Sequence, residues 1–174
     1  MSDDRGKVVV GISRSLSGLE ALRFAVAEAQ RRQATLAAVR VWSFNAGMRS
    51  SRPTWEWEQA LAGEARRCIT EAFHAAAGGV PRDLDVLART MSGPVDSALK
   101  TCVDSPRDLL VIGAARRNWW SGGVVRGCAH DAACPVVVVP RPELARVVDG
   151  RTAVRRMVRE AAASLAPARE AGDR

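Results

Sequence analysis

No apolar run in the 174-residue chain approaches the roughly 18 residues of a membrane-spanning helix. The sequence therefore offers no candidate membrane span. Its four cysteines, Cys68, Cys102, Cys128 and Cys134, form no CxxC pair. A chain of this length can bury a full core without cross-links, so no disulfide framework is expected. Cys128, His130 and Cys134 stand near one another, but their spacing matches no standard metal pattern and no fourth ligand follows. No metal is expected, and the cysteines are read as small buried side chains. The opening residues MSDDRGKVVV are acidic before they are basic and lack a secretory signal of the usual kind. A cytoplasmic location is the expectation.

Catalytic and nucleotide signatures are also missing. There is no G-x-x-x-x-G-K-[ST], no G-x-G-x-x-G after the first strand and no nucleophile elbow. No catalytic residue is assigned. His130 and Asp131 are adjacent, and adjacent helical positions point different ways, so they are not read as a base and its orienting acid. Lysine is scarce, and arginine supplies nearly every basic position behind a net charge of +7. That excess is modest, so a nucleic-acid partner is not expected, and a polyanion-binding role ranks behind two other readings.

What the chain does contain is a regular alternation. Its composition, 47% apolar and 26% charged, is that of an ordinary globular protein. Lys7 to Ile12 and Thr35 to Trp42 read as buried strands. Between them, Ser17 and Glu20 form an S-x-x-E capping pattern. Leu19, Leu22, Phe24, Ala25, Val26 and Ala29 then give a helix an apolar face that ends near Gln33. A second helix follows Thr54, a candidate N-cap, with Trp57, Leu61, Ala65, Cys68, Ile69, Ala72, Phe73 and Ala76 at helical spacing. LDVLART, residues 84–90, reads as a third strand. Pro94 opens a third helix with Val95, Ala98, Leu99, Cys102 and Val103 on its apolar face. Asp104 and Asp108 bracket the next turn, at the amino end of the sheet, and are read as fixing it. DLLVIGA (108–114) is strand four, VVRGCAHDAA (124–133) a short helix and CPVVVVP (134–140) strand five.

Five strands alternating with four helices predict an α/β fold: a parallel sheet covered by helices on both faces, a three-layer sandwich. The sequence divides into a domain over residues 1–140 and a C-terminal extension over 141–174. In the extension, Val154, Met157, Val158, Ala161 and Leu165 recur at helical spacing, which predicts an amphipathic helix and then a disordered end.

In such sheets ligands bind at the carboxyl ends of the strands, where strand order reverses. With strands one and four as the central pair, the facing loops are SRSLSG and Val111 to Val125, VIGAARRNWWSGGVV. A site there would use Ser13, Arg14 and Ser15 on one side. Gly113, Arg116, Arg117 and the Gly122–Gly123 turn would supply the other. Backbone N–H groups at the start of the helix after Gly123 could hold an anion. Equally, the two glycines could simply permit a tight turn, and both readings stand. Trp119 and Trp120, adjacent in a polar loop, are read first as packing residues and second as stacking surfaces.

KVVVGISRSLSGLEALRFA, DLLVIGA and GGVVRGCAHDAACPVVVV together resemble the universal stress protein family over roughly residues 6–140. The resemblance implies a Rossmann-like fold of the adenine nucleotide alpha hydrolase type with strand order 3-2-1-4-5. It implies a homodimer in which the fifth strand, Val136, Val137, Val138 and Val139, pairs with its twin, in agreement with the cover that an apolar edge strand needs. It also implies a regulatory or protective role in the stress response, with a regulatory protein as a candidate partner.

Members that bind ATP carry G-x-x-G-x9-G-[ST] after strand four and an aspartate at the end of strand one. By position, the first glycine is Gly113, the second falls on Arg116, and the closing pair on Gly122 and Gly123. The aspartate falls on Ser13, and the adenine-contacting backbone on the region of Val41. Between Arg116 and Gly122 lie five residues in place of nine. Closing the motif on Gly127 and Cys128 instead leaves too short a helix before Cys134. The departures remove backbone donors, a hydroxyl and a carboxylate. Arg116 and Arg117 could compensate by charge-assisted bonds. The leading expectation is a universal stress protein-like dimer without conventional ATP binding and without a cofactor. The alternative is an ATP-binding member with slow or no hydrolysis.

Overall fold

The computed structural model describes residues 6–42, 55–114 and 123–142. Along these, the elements run β1 (Lys7–Gly11), α1 (Leu16–Arg32), β2 (Thr35–Trp42), α2 (Trp55–Ala77), β3 (Val86–Ser92), α3 (Val95–Thr101), β4 (Leu109–Gly113), α4 (Gly123–Asp131) and β5 (Val136–Val139). The five strands form one sheet in the order β3-β2-β1-β4-β5, and every pairing is parallel. This is the architecture expected from the alternation of strand and helix. Thr54 and the proposed C-terminal helix lie outside the described residues. No helix among the described residues is long and apolar enough to cross a membrane.

The period of two along each strand divides the core into two layers. Val8, Val10 and Ile12 face α1 and α2 together with Leu36, Ala38, Leu109 and Val111. Val9, Ala37, Val39, Val41, Leu110 and Ile112 face α3, α4 and Cys134. That is why the central strands read as unbroken apolar runs, since neither face meets water. Phe73 of α2 and Leu22 of α1 are fully buried in the first layer, and Leu99 of α3 in the second. All four cysteines are free and buried. Burial, with the Asp96 charge adding to it, pushes the Cys128 thiol up to about 11, so it behaves as a small apolar side chain.

Three sequence expectations need correction. The cap of α1 is Ser15, not Ser17: the Ser15 side chain accepts from the Gly18 N–H. Ser17 lies inside the first turn and is fully buried, and Glu20 pairs with Arg23 instead of closing a capping box. Phe24 is 40% exposed, because Leu22, Ala25, Val26 and Ala29 already fill the contact with the sheet and Phe24 projects to one side. β3 runs two residues later than LDVLART, to Ser92, because it follows β2 to its end, Trp42 opposite Ser92. The Gly93 N–H then closes on the Trp42 carbonyl at 3.0 Å. The end of α1 agrees with expectation: Gln33 turns left-handed (φ 52°) and donates to the carbonyls of Ala29 and Gln30.

Asp104 and Asp108 do fix the turn before β4, with unequal roles. Asp108 is buried and accepts from the backbone N–H groups of Lys7 (2.9 Å), Asp104 (2.8 Å) and Ser105 (3.1 Å). Asp104 stays at the surface and pairs with the Lys7 ammonium, which holds its carboxyl below the usual range.

Candidate functional site

β1 and β4 lie side by side, Val10 opposite Val111, so the loops that leave their carboxyl ends adjoin. On the β1 side the sequence S-R-S-L-S places three hydroxyls in a row. Ser13 Oγ lies 2.8 Å from Ser15 Oγ, and Ser15 Oγ lies 3.2 Å from Ser17 Oγ. Ser15 also accepts from the Gly18 N–H at 3.1 Å. The chain of hydroxyls thus ends on the first turn of α1. That turn carries no acidic residue, so the positive end of the helix has no carboxylate of its own there.

The packing behind this row is tight. A Cβ on Gly18 would come within 2.1 Å of Ser13 Oγ, so the Ser13 side chain is turned back against α1. A Cβ on Gly113, at the end of β4, would come within 2.5 Å of the Ser17 carbonyl oxygen and 2.7 Å of the Gly18 nitrogen. The end of β4 therefore rests directly on the backbone of α1. Gly123 differs. It opens α4, and a Cβ there would meet nothing within 4 Å.

Of the other residues singled out in the sequence, Arg14 is drawn to α2. Its Nη2 donates to Glu64 Oε1 at 3.0 Å and Glu71 Oε2 at 2.8 Å. Val41 is buried near the end of β2, opposite Met91. Arg116, Arg117, Gly122, Trp119 and Trp120 lie outside the described residues. The structure therefore brings Ser13, Ser15 and Gly113 together around the start of α1 and turns Arg14 elsewhere. Sequence reasoning did not anticipate Arg40, whose Nη1 donates to the Ile12 carbonyl at 3.0 Å and ties the end of β2 to that of β1. An arginine amid the apolar residues of β2 was the available signal. Nor did it credit Ser17 with a buried role, although the S-x-S-x-S spacing pointed to one.

His130 and Asp131 do meet, at 2.7 Å, contrary to expectation. Asp131 is the last residue of α4, and both side chains are exposed there and bend toward each other. The hydrogen bond from His130, with its charge, holds the Asp131 carboxyl below the usual range. Both side chains are exposed, at the end of α4 that precedes β5 and hence at the amino end of the sheet. They lie opposite to the loops that follow β1 and β4. Cys128 and Cys134, considered above beside His130, are both buried in the layer under α3 and α4, whereas His130 is exposed.

Comparison with known proteins places this arrangement. Universal stress protein UspA from Lactobacillus plantarum shares 20% identity, with 78% of this chain and 97% of that one covered at a TM-score of 0.55. A member of the universal stress protein family from Burkholderia pseudomallei shares 18%, covering 80% and 99%, also at 0.55. The crystal structure of a universal stress protein in complex with cAMP shares 22%, covering 79% and 98%, at 0.53. No curated protein matches the chain in sequence. At these identities the solved structures establish the fold, a five-stranded parallel sheet of Rossmann-like type. The model of the universal stress protein family matches residues 5–140, which contain all five strands and four helices described above, and the chain therefore belongs to the universal stress protein family.

Proposed function

We propose that residues 1–140 form a regulatory or protective universal stress protein that works as a homodimer through β5. In this reading the strand-end site does not hold ATP in the manner of nucleotide-binding members, and residues 141–174 are an appended extension. One observation carries it. Ser13, at the position of the family's aspartate, turns its hydroxyl back onto Ser15 and the first turn of α1. A carboxylate there could accept from both hydroxyls of a ribose diol, whereas Ser13 has one hydroxyl, already engaged with Ser15, and no charge to offer. The shortened run from Arg116 to Gly122 supports the same reading, since it supplies fewer backbone donors to phosphates.

The second reading is an adenine nucleotide bound at the ends of β1 and β4. The similar structure in complex with cAMP favours it. Titration of the purified protein with ATP separates the two, read by calorimetry and by Trp119 and Trp120 fluorescence. The expected result is no saturable binding up to about 1 mM ATP, weaker than about 4 kcal/mol. Micromolar binding that weakens on Arg116→Ala would establish the second reading. A polyanion role has less support. Arg23, Arg31, Arg32 and Arg67 each pair with a glutamate of their own helix, which offsets part of the positive charge on α1 and α2.

Dimerisation has its own test. β5 is an edge strand, and its four valines are all half-buried. Val137 and Val139 pack on the α1–α2 layer, so Val138, on the alternate face, is the better place for a charge. The wild-type protein is expected to sediment as a dimer at high micromolar concentration. Val138→Lys is expected to sediment as a monomer with an unchanged far-ultraviolet circular dichroism spectrum. A monomeric wild type refutes assembly through β5.

A further inference from the structure

Among the described residues β3 is an outer strand of the sheet, with β2 on one side and no strand on the other. Its residues alternate between the two layers. Val39 and Val41 lie opposite Arg89 and Met91 and belong to the layer under α3 and α4, so Arg89 and Met91 point to that layer too. Met91 is half-buried and packs against this layer's apolar cluster. On its inner side, the Cys102 thiol donates to the Met91 thioether at a sulfur–sulfur distance of 3.3 Å. Cys102 itself is 1% exposed. Two sulfurs thus touch at the sheet edge, one on a half-buried methionine and the other on a cysteine closed off from water.

We propose that Met91 is a site of reversible oxidation by small peroxides, and that its sulfoxide loosens the packing of β3 on α3. The two sulfurs differ in what their oxidation requires. A thiol reacts as its thiolate, and burial raises the Cys102 thiol above its ordinary value. A thioether needs no deprotonation. Its lone pair attacks one peroxide oxygen and the O–O bond breaks. The S–O bond forms, and the second oxygen takes up the proton carried by the first and leaves, as water from hydrogen peroxide or as an alcohol from an alkyl hydroperoxide. Sulfur gives up two electrons and the peroxide accepts them.

The product places a polar oxygen where an apolar sulfur met Cys102 and the cluster that includes Val41 and Leu99. That oxygen must lose water to stay there or draw the side chain outward, and either response weakens the contact. Because Met91 lies directly opposite Val41, the disturbance falls at the carboxyl end of β2, beside the strand-end site.

The test uses the full-length protein treated with graded hydrogen peroxide, followed by peptide mass mapping and thermal unfolding. Met91 is expected to gain one oxygen in the native protein before Cys102 is modified. The melting temperature is expected to fall by about 3–6 °C, and methionine sulfoxide reductases are expected to restore it. Met91→Leu conserves volume and is expected to keep its melting temperature under the same treatment. This variant also accounts for oxidation at Met1, Met48 and Met157. Native Met91 that resists oxidation overturns the proposal, as does Cys102 reacting first. An oxidised protein whose melting temperature is unmoved, or an equal fall in Met91→Leu, overturns it as well.

Discussion

Gly113→Ala is expected to lower the unfolding free energy by about 3 kcal/mol, in the absence of any nucleotide. The added methyl would sit 2.5 Å from the Ser17 carbonyl oxygen and 2.6 Å from its carbonyl carbon. Both are backbone atoms in the first turn of α1, where they are held by the helix and by the Ser15 cap. Neither can swing aside as a side chain would, so β4 and α1 must separate. Their separation opens the layer that holds Val10, Val111 and Leu22. Urea unfolding is the measurement. Gly63→Ala is the control: this residue lies within α2, a Cβ there meets nothing within 4 Å, and the change is expected to stabilise by about 0.5–1 kcal/mol. If Gly113→Ala unfolds at the wild-type midpoint, the close approach of β4 to α1 is not what this glycine provides.

That expectation bears on how the strand-end motif is interpreted. By the family resemblance, Gly113 holds the position of the first glycine in the motif of ATP-binding members. Here the same position is required by the contact between β4 and α1 whether or not anything binds. Its presence therefore carries no weight for a nucleotide, and Ser13 becomes the residue that discriminates. A bound phosphate needs donors, and a ribose needs an acceptor. The hydroxyls of Ser13, Ser15 and Ser17 already use one another.

The fold was legible because its signals are redundant. Each central strand is buried on both faces, so Lys7 to Gly11 and Leu109 to Gly113 stand out as apolar runs with no period to confuse. The alternation with amphipathic helices then leaves few topologies. β3 was legible only approximately. As an edge strand with exposed Leu87, it has a weak pattern, and its end is set by β2 rather than by its own residues. The start of α1 was misplaced because S-R-S-L-S offers several caps of equal propensity. Only the backbone N–H that each hydroxyl reaches can choose among them, and Gly18 chooses Ser15. The site was less legible for a related reason. The engagement of Arg14 by Glu64 and Glu71 is a long-range fact, since the partners lie 50 and 57 residues away in sequence, and the direction of Ser13 is a choice among neighbouring hydroxyls that the sequence alone does not make.

Asp108 supports the other end of the sheet, and its replacement is expected to have the larger effect. One oxygen accepts from Lys7, the first residue of β1, and the other from Asp104 and Ser105 in the turn after α3. A single buried carboxylate thus joins the starts of β1 and β4 to the turn that feeds β4. Asp108→Ala leaves three backbone donors without this acceptor, and each such loss costs about 1–3 kcal/mol where water cannot replace it. The carboxylate is 2% exposed, while the donors are only part-buried, so water recovers some of the loss. The net expectation is about 3–5 kcal/mol. Asp108→Asn separates charge from geometry. Its amide oxygen can serve Lys7 or the turn, but its NH2 must then face backbone donors on the other side, so about half the loss should remain. Urea unfolding of the two variants gives the order wild type, Asn, Ala in falling stability. Equal stability of Asn and wild type would mean that one oxygen suffices, and a mild Ala variant would mean that water holds the turn as well as the carboxylate does.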